Sequence, residues 1–301
     1  MEKVLVLMST YNGEKYLEEQ IQSIINQKDV DTHLLIRDDC SKDGTPAIIS
    51  KYVGSKVTCY EGKNIGAARS FMNLIEKAGR EFTQFEYIAL ADQDDIWLEN
   101  KLKQAVSALH ESGAGLYCGS LDAFTNGNMD NHLLIQCHEY SPFETMLRNS
   151  VAGCTMVMKR GALDRVCEYM PDFIEMHDSW ILRVCYYTGI KIVYDSKPCM
   201  RYRLHGNNTC GAAISIKDKI KVHWNNVFYR NADLVSKTAH ELLKGYKDYI
   251  DTDDVVFIEA LDRSVTKKNR KKVLLTIAES THFSTVTRKI DFIVELLLGK
   301  I

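Results

Sequence analysis

Proline is scarce in this chain, occurring four times in 301 residues, so neither a polyproline segment nor a proline-rich linker can be built from it. Nine cysteines are present, but no two have CxxC spacing. An odd count without such pairs argues against a zinc ribbon or a disulfide framework and for reduced thiols. No apolar run approaches the roughly eighteen residues of a membrane span. The apolar stretch after Met1-Glu2-Lys3, Val4 to Met8, is too short for the core of a signal peptide. Neither sign of charge dominates: 38 Lys and Arg stand against 40 Asp and Glu, a formal net charge of −2, which speaks against nucleic-acid binding over the whole surface. The expectation is a cytoplasmic protein, peripheral to the inner face of a membrane at most, with no nucleic-acid partner.

What is present is the composition of a soluble globular chain, 45% hydrophobic and 26% charged, long enough for one large or two ordinary domains. Strand and helix patterns alternate. Val4 to Met8, His33 to Arg37, Val57 to Tyr60 and Tyr87 to Leu90 read as strands. Between them, Glu14 to Asn26 places Leu17, Ile21, Ile24 and Ile25 on one helical face, a second helix starts near Pro46, and a third runs from Gly66 to Ala78 with Gly79 placed to end it. A further helix is expected over Trp97 to Leu102. This alternation predicts βαβ units and an α/β fold with a mainly parallel sheet flanked by helices. Beyond Leu116 to Gly119 the rhythm loosens, although Ser141-Pro142-Phe143-Glu144 has the form of a capping box and Thr155 to Met158 reads as a strand. From about Ile214 the pattern turns helical, which divides the chain into residues 1–210 and a helical C-terminal region, 211–301.

Five constellations carry the chemistry. After the first strand comes Met8-Ser9-Thr10-Tyr11-Asn12-Gly13, whose hydroxyls and amides could hold phosphate or ribose oxygens, or simply cap the next helix. After the second comes Arg37-Asp38-Asp39-Cys40-Ser41, where a carboxylate could accept the N–H of a base. Arg69, one turn into a helix, could meet a pyrophosphate or lie in solvent. The apolar run Ile88 to Ala91 feeds into Asp92-Gln93-Asp94-Asp95, three carboxylates packed where α/β sheets bind ligands. Their repulsion asks for a cation, and hard divalent ions favour such oxygens together with phosphate, whereas an isolated acidic turn more often only caps a helix. Far downstream lie Glu175-Met176-His177-Asp178-Ser179-Trp180 and Arg201-Tyr202-Arg203-Leu204-His205-Gly206. Asp178 reads either as an N-cap or as a positioned base.

Taken in order, these motifs (STYNG, DD with a following serine, DQDD, HD with a following tryptophan, YR with HG) resemble the inverting family 2 glycosyltransferases of the GT-A fold, and among them rhamnosyltransferase-like bacterial members that build surface polysaccharide. The likeness runs over roughly residues 2–210. It implies that Ser9, Thr10, Tyr11, Asn12, Asp39, Arg69, Asp92 and Gln93 hold a nucleoside diphosphate sugar, and that Asp92, Asp94 and His205 hold Mn²⁺ or Mg²⁺. It further implies that Asp178 is the catalytic base, and that Gly153, Cys154, Thr155, His177 and Trp180 line the acceptor side. The donor would be deoxythymidine-diphosphate rhamnose or a uridine-diphosphate hexose, and the acceptor a glycan, a lipid-linked sugar or a glycoprotein. One departure stands out: many relatives carry Glu before the catalytic Asp, where this chain has His177.

Two other functions compete. A sugar-nucleotide pyrophosphorylase would need a Gly-rich basic loop where Ser9-Thr10-Tyr11-Asn12 stands. A non-catalytic nucleotide-sugar-binding module would share the fold without turnover. In the tail, Lys267-Lys268-Asn269-Arg270-Lys271-Lys272 places five cations in six residues, and Ile290, Phe292, Ile293, Leu296, Leu297 and Leu298 cluster after it. That combination is expected either to form a homo-oligomer contact or to touch an anionic membrane.

Overall fold

The computed structural model describes residues 1–125, 128–149, 151–204 and 232–262, together with residues 290, 293 and 294. His205, the basic run 267–272, most of the late apolar cluster and the boundary expected near residue 210 lie outside the described residues.

The first half alternates as the pattern predicts: β1 (Glu2–Thr10), α1 (Leu17–Ile25), β2 (Val30–Asp38), α2 (Thr45–Ser50), β3 (Val57–Glu61), α3 (Ala67–Glu81) and β4 (Tyr87–Ala91). These four strands pair in parallel in the order β3-β2-β1-β4. Strand β1 shows why: Val4, Val6 and Met8 enter one core and Leu5 and Leu7 the other, so both faces of the strand are buried. Helices α1 and α2, with α4 (Lys101–Ser112), cover one face, and α3 covers the other.

Beyond β4 the sheet is mixed. Strand β8 (Val157–Lys159) joins β4 antiparallel, and β6 (Leu116–Thr125) follows, flanked by β7 (Asn128–Ile135) and β9 (Ile192–Leu204). Two local expectations are corrected. Ile96–Trp97 is not helical but a two-residue strand, β5, antiparallel to Arg201 and Met200 of β9, and the helix begins only at Lys101. Gly79 does not end α3 but lies inside it, where a Cβ would stand 3.0 Å from Cys167 Sγ, so it admits the close approach of α6 (Arg160–Cys167). The capping box at α5 (Pro142–Leu147) is formed: Ser141 Oγ accepts from the Glu144 N–H, and the Glu144 carboxylate accepts from the Ser141 N–H.

Helix α7 (His177–Tyr187) is buried along nearly its whole length, and α8 (Ala232–Tyr246) and α9 (Thr252–Asp262) extend the same core. Phe143 packs edge-on against Phe257 of α9, and Trp180 lies tilted against Tyr246 of α8. The C-terminal helices are thus packed onto the elements that carry the second half of the site.

Candidate functional site

The parallel register brings the sequence motifs to one edge. Thr10 stands opposite Asp38 and Met8 opposite Ala91, so Thr10, Asp38-Asp39 and Asp92 leave the sheet together at its carboxyl side. Thr10 Oγ1 donates to Asp38 Oδ1 at 3.0 Å, and Ser41 Oγ donates to the same oxygen at 2.5 Å. The Tyr11 N–H donates to Gln93 Oε1 at 2.9 Å while Gln93 Nε2 returns a bond to the Tyr11 carbonyl at 3.2 Å, tying the first loop to the acidic one. Asn12 sits in the left-handed region at φ 49°, its Oδ1 accepting from the Lys42 N–H. The Tyr11 ring remains 47% exposed above this floor. Ser9 is still a strand residue, opposite Arg37.

Asp39 is turned inward. It pairs with Arg37 in the interior and accepts from the Ser70 hydroxyl and the Ile65 N–H, so its carboxylate holds the turn before α3 instead of standing open to a base. Arg69 is exposed and donates to the Asp172 carbonyl at 2.6 Å, which places its guanidinium between α3 and the loop before α7.

At the end of β4, one ligand atom each from Asp92, Asp95 and Cys154 fall within 4.8 Å of one another. Asp95 is fully buried; its Oδ1 accepts from the Arg203 N–H, and its Oδ2 has no hydrogen-bond partner among the described residues. Burial pushes the Asp92 carboxyl up to about 7, with the charges of Asp94 and Asp178 adding to the rise and the Cys154 thiol opposing it by hydrogen bonding. Asp95 is raised well above the ordinary range by burial, then by Asp92 and Asp94. Carboxylates that raise one another in this way, with an orphaned buried oxygen among them, suit a hard divalent cation. Burial also drives the Cys154 thiol far above its usual range, with the charges of Asp92 and Asp95 adding to the rise, and sulfur is in any case a soft donor poorly matched to such a hard ion.

Asp178 reaches this cluster from the first turn of α7, closely enough for its charge to bear on Asp92. The helix N-cap is Met176, so Asp178 is not the cap that its sequence position suggested; its Oδ1 accepts from the adjacent Ser179 N–H at 2.6 Å. His177 stacks on Phe71 with ring centroids 3.9 Å apart, and burial lowers its imidazole to about 4 against the opposing pull of Asp178. Gly153 closes the site from the short 3₁₀ turn Gly153–Thr155, and any Cβ there would stand 2.6 Å from His177 Nε2.

Three residues expected along the acceptor side are placed elsewhere. Cys154 lies beneath the carboxylates, Thr155 is fully buried with its hydroxyl donating to the Ala152 carbonyl, and Trp180 points into the core against Tyr246. Their apolar neighbours in the fold, invisible in the local pattern, draw them inward. Sequence reasoning counted Asp95 in the acidic run but not among the ligand candidates, where the structure groups it with Asp92, and it missed Arg203 as the anchor of the cluster. Arg203 is nearly buried, donates to the Asp94 carbonyl at 2.8 Å, pairs with Glu19 at 2.6 Å and lies over the Tyr16 and Phe124 rings. The YR motif at 202–203 was the signal that could have flagged it.

A family model described as Glycosyl transferase family 2 matches residues 5–166. Among curated relatives, the chain is 33% identical over 225 residues to the dTDP-rhamnosyl transferase RfbG of Shigella flexneri, covering 71% of this chain and 77% of that one. It is 24% identical to the UDP-Glc:alpha-D-GlcNAc-diphosphoundecaprenol beta-1,3-glucosyltransferase WfgD of Escherichia coli, over 67% of this chain and 77% of that one. Among solved structures, Staphylococcus aureus TarS 1-349 in complex with UDP-GlcNAc superposes with a TM-score of 0.56 at 13% identity, over 100% of this chain and 90% of that one, a likeness of fold.

Proposed function

The chain belongs to glycosyl transferase family 2 and is a glycosyltransferase of the GT-A fold, and from that premise we propose that it transfers a sugar with inversion from a nucleoside diphosphate sugar to a hydroxyl group, with Asp178 as general base. The observation that carries this reading is that Asp178 and the acidic cluster come together from separate elements: Asp178 packs against Gly153, the neighbour of Cys154 in the Asp92–Asp95–Cys154 group, and its charge adds to the rise of the Asp92 carboxyl.

In this reading the nucleoside lies over Thr10, Tyr11 and Asn12, with the exposed Tyr11 ring as its platform and Asp39 fixing the floor from within. Asp92 and Asp94 would hold Mn²⁺ or Mg²⁺, with His205 as a further ligand and Asp95 within ligand distance of Asp92. Such an ion, when bound, neutralises charge on the leaving diphosphate. Gln93 locks the acidic loop against the nucleoside loop through its paired bonds to Tyr11. Asp178 accepts the proton of the acceptor hydroxyl as that oxygen attacks the anomeric carbon from the face opposite the diphosphate. One base and one displacement invert the anomeric centre, as in the base half of inverting glycoside hydrolysis.

The name of the Shigella relative supports dTDP-rhamnose as donor, with UDP-hexoses as the competing class. The name of the E. coli relative supports a lipid-linked acceptor, and with it work at the inner face of a membrane. Among the described residues, no helix is long and apolar enough to cross one. A thermal-shift panel of dTDP-rhamnose, UDP-glucose, UDP-GlcNAc and GDP-mannose with and without Mn²⁺ tests the donor, because a ligand that binds the native state raises its stability. A metal-dependent rise for dTDP-rhamnose is expected. No rise with any nucleotide sugar overturns the reading, and binding without release of sugar identifies a non-catalytic module.

A further inference from the structure

The loop between α6 and α7 delivers His177 and Asp178, and it is held by a helix from outside the motif-bearing part of the chain. Helix α8 presents Lys237, Glu241 and Lys244, spaced to share one helical face, to that loop. Glu241 is buried, and its carboxylate accepts from the Tyr169 hydroxyl at 2.5 Å, the Asp172 N–H at 3.0 Å and the Phe173 N–H at 3.3 Å. Lys244 pairs with the Asp172 carboxylate at 2.6 Å, and Lys237 stands over the Phe173 ring. Gly245 leaves room for the Tyr169 ring, which a Cβ would meet at 2.4 Å. From the other side, Arg69 of α3 donates to the Asp172 carbonyl. Every polar group of Asp172 is therefore bound, to α3 on the donor side or to α8 on the far side.

We infer that Glu241 is a positioning residue for the base: its three hydrogen bonds fix the 168–176 loop and so set where the first turn of α7 meets Gly153 and Asp92. A carboxylate taking two backbone N–H groups of one loop leaves that segment little freedom, and such charge-assisted bonds are the strong ones. A base must be held to within a fraction of an ångström, so a small shift of the loop costs rate before it costs fold. The C-terminal helices then contribute directly to the reaction geometry. This inference rests on the assignment of Asp178 as base.

The test compares Glu241→Gln, Tyr169→Phe and Ser236→Ala. Ser236 Oγ donates to the Asp262 carbonyl, so its loss loosens α8 against α9, away from the loop. Turnover is read as nucleoside diphosphate released from dTDP-rhamnose and from UDP-glucose with Mn²⁺, beside nucleotide affinity, melting temperature and hydrogen exchange of residues 169–178. Glu241→Gln is expected to lower turnover about 10-fold or more with nucleotide affinity nearly unchanged, and to speed exchange within the loop. Tyr169→Phe should follow in the same direction with a smaller effect, and it remains informative if Glu241→Gln does not fold. Ser236→Ala should keep its turnover. Unchanged loop exchange in Glu241→Gln, wild-type turnover, or a fall in turnover that merely tracks melting temperature in all three variants overturns the inference. An inactive Asp178→Asn beside a fully active Glu241→Gln sinks only the positioning role, whereas an active Asp178→Asn sinks the base itself.

Discussion

Gly153 and His177 are in contact so close that the glycine hydrogen occupies the only space there is: a Cβ at 153 would stand 2.6 Å from His177 Nε2 and 3.1 Å from Asp178 Cβ. Position 153 is thus a gauge of how tightly the first turn of α7 is seated. Gly153→Ala must displace that turn, and overpacking of this kind costs about 1–3 kcal/mol. Its turnover should fall far more than its affinity for the donor nucleotide, since the nucleoside loops are untouched. Steady-state rates beside calorimetric nucleotide titration check this; wild-type turnover in Gly153→Ala would show that the seating of α7 does not matter.

His177 gives the protein a defined acid sensitivity. Buried on Phe71, its imidazole titrates at about 4 in the folded chain against an ordinary value of 6.5. Between those two values the unfolded chain binds more protons than the folded one, so stability rises with pH across the window. The contribution is complete above pH 6.5 and is lost as the pH falls toward 4, and its size is on the order of 3 kcal/mol. Denaturant unfolding at pH 7 and pH 4.5 should show wild type losing more stability than His177→Gln, which carries no titrating ring. Equal losses in the two proteins would refute the assignment.

The parallel half of the sheet could be read from the sequence because β1, β2 and β4 are short apolar runs that end in polar turns, and buried parallel strands leave that mark. The same rule brought Thr10, Asp39, Asp92 and Gln93 to one edge. Asp178 came only through the ordered likeness to a family, since nothing in its local spacing distinguishes a base from a helix cap. What stayed hidden depends on partners remote in sequence. Trp180 reads as a site aromatic until Tyr246 covers it, Asp39 reads as open until Arg37 and Ser70 close on it, and Arg203 gains its role from Glu19 and the Asp94 carbonyl. Ile96–Trp97 defeated the helical pattern because β9 supplies the strand partner.

Asp94 separates metal binding from folding. Its charge raises both Asp92 and Asp95, so Asp94→Ala removes repulsion from the cluster and should leave the melting temperature equal or higher. Nucleotide affinity measured with Mn²⁺ should drop to the value measured without it. A variant that keeps its Mn²⁺-dependent gain in affinity would move the metal to other ligands.

Asp178→Asn bears on the mechanism most directly. The side chain keeps its shape, and the amide oxygen can still accept from the Ser179 N–H, so the first turn of α7 retains its local bond. Because Met176 is the helix N-cap, little capping energy is at stake. The amide cannot take a proton, and transfer should fall about 10² to 10⁴-fold if that proton goes to Asp178. Asp92 meanwhile loses a neighbouring negative charge, which lowers its carboxyl and should leave donor and metal affinity equal or slightly higher. Transfer rate, nucleotide-sugar affinity and melting temperature measured on both proteins decide between base and bystander. A folded Asp178→Asn that turns over normally would hand the role to another carboxylate, with Glu175, three residues earlier in the loop that Glu241 holds, the first to substitute.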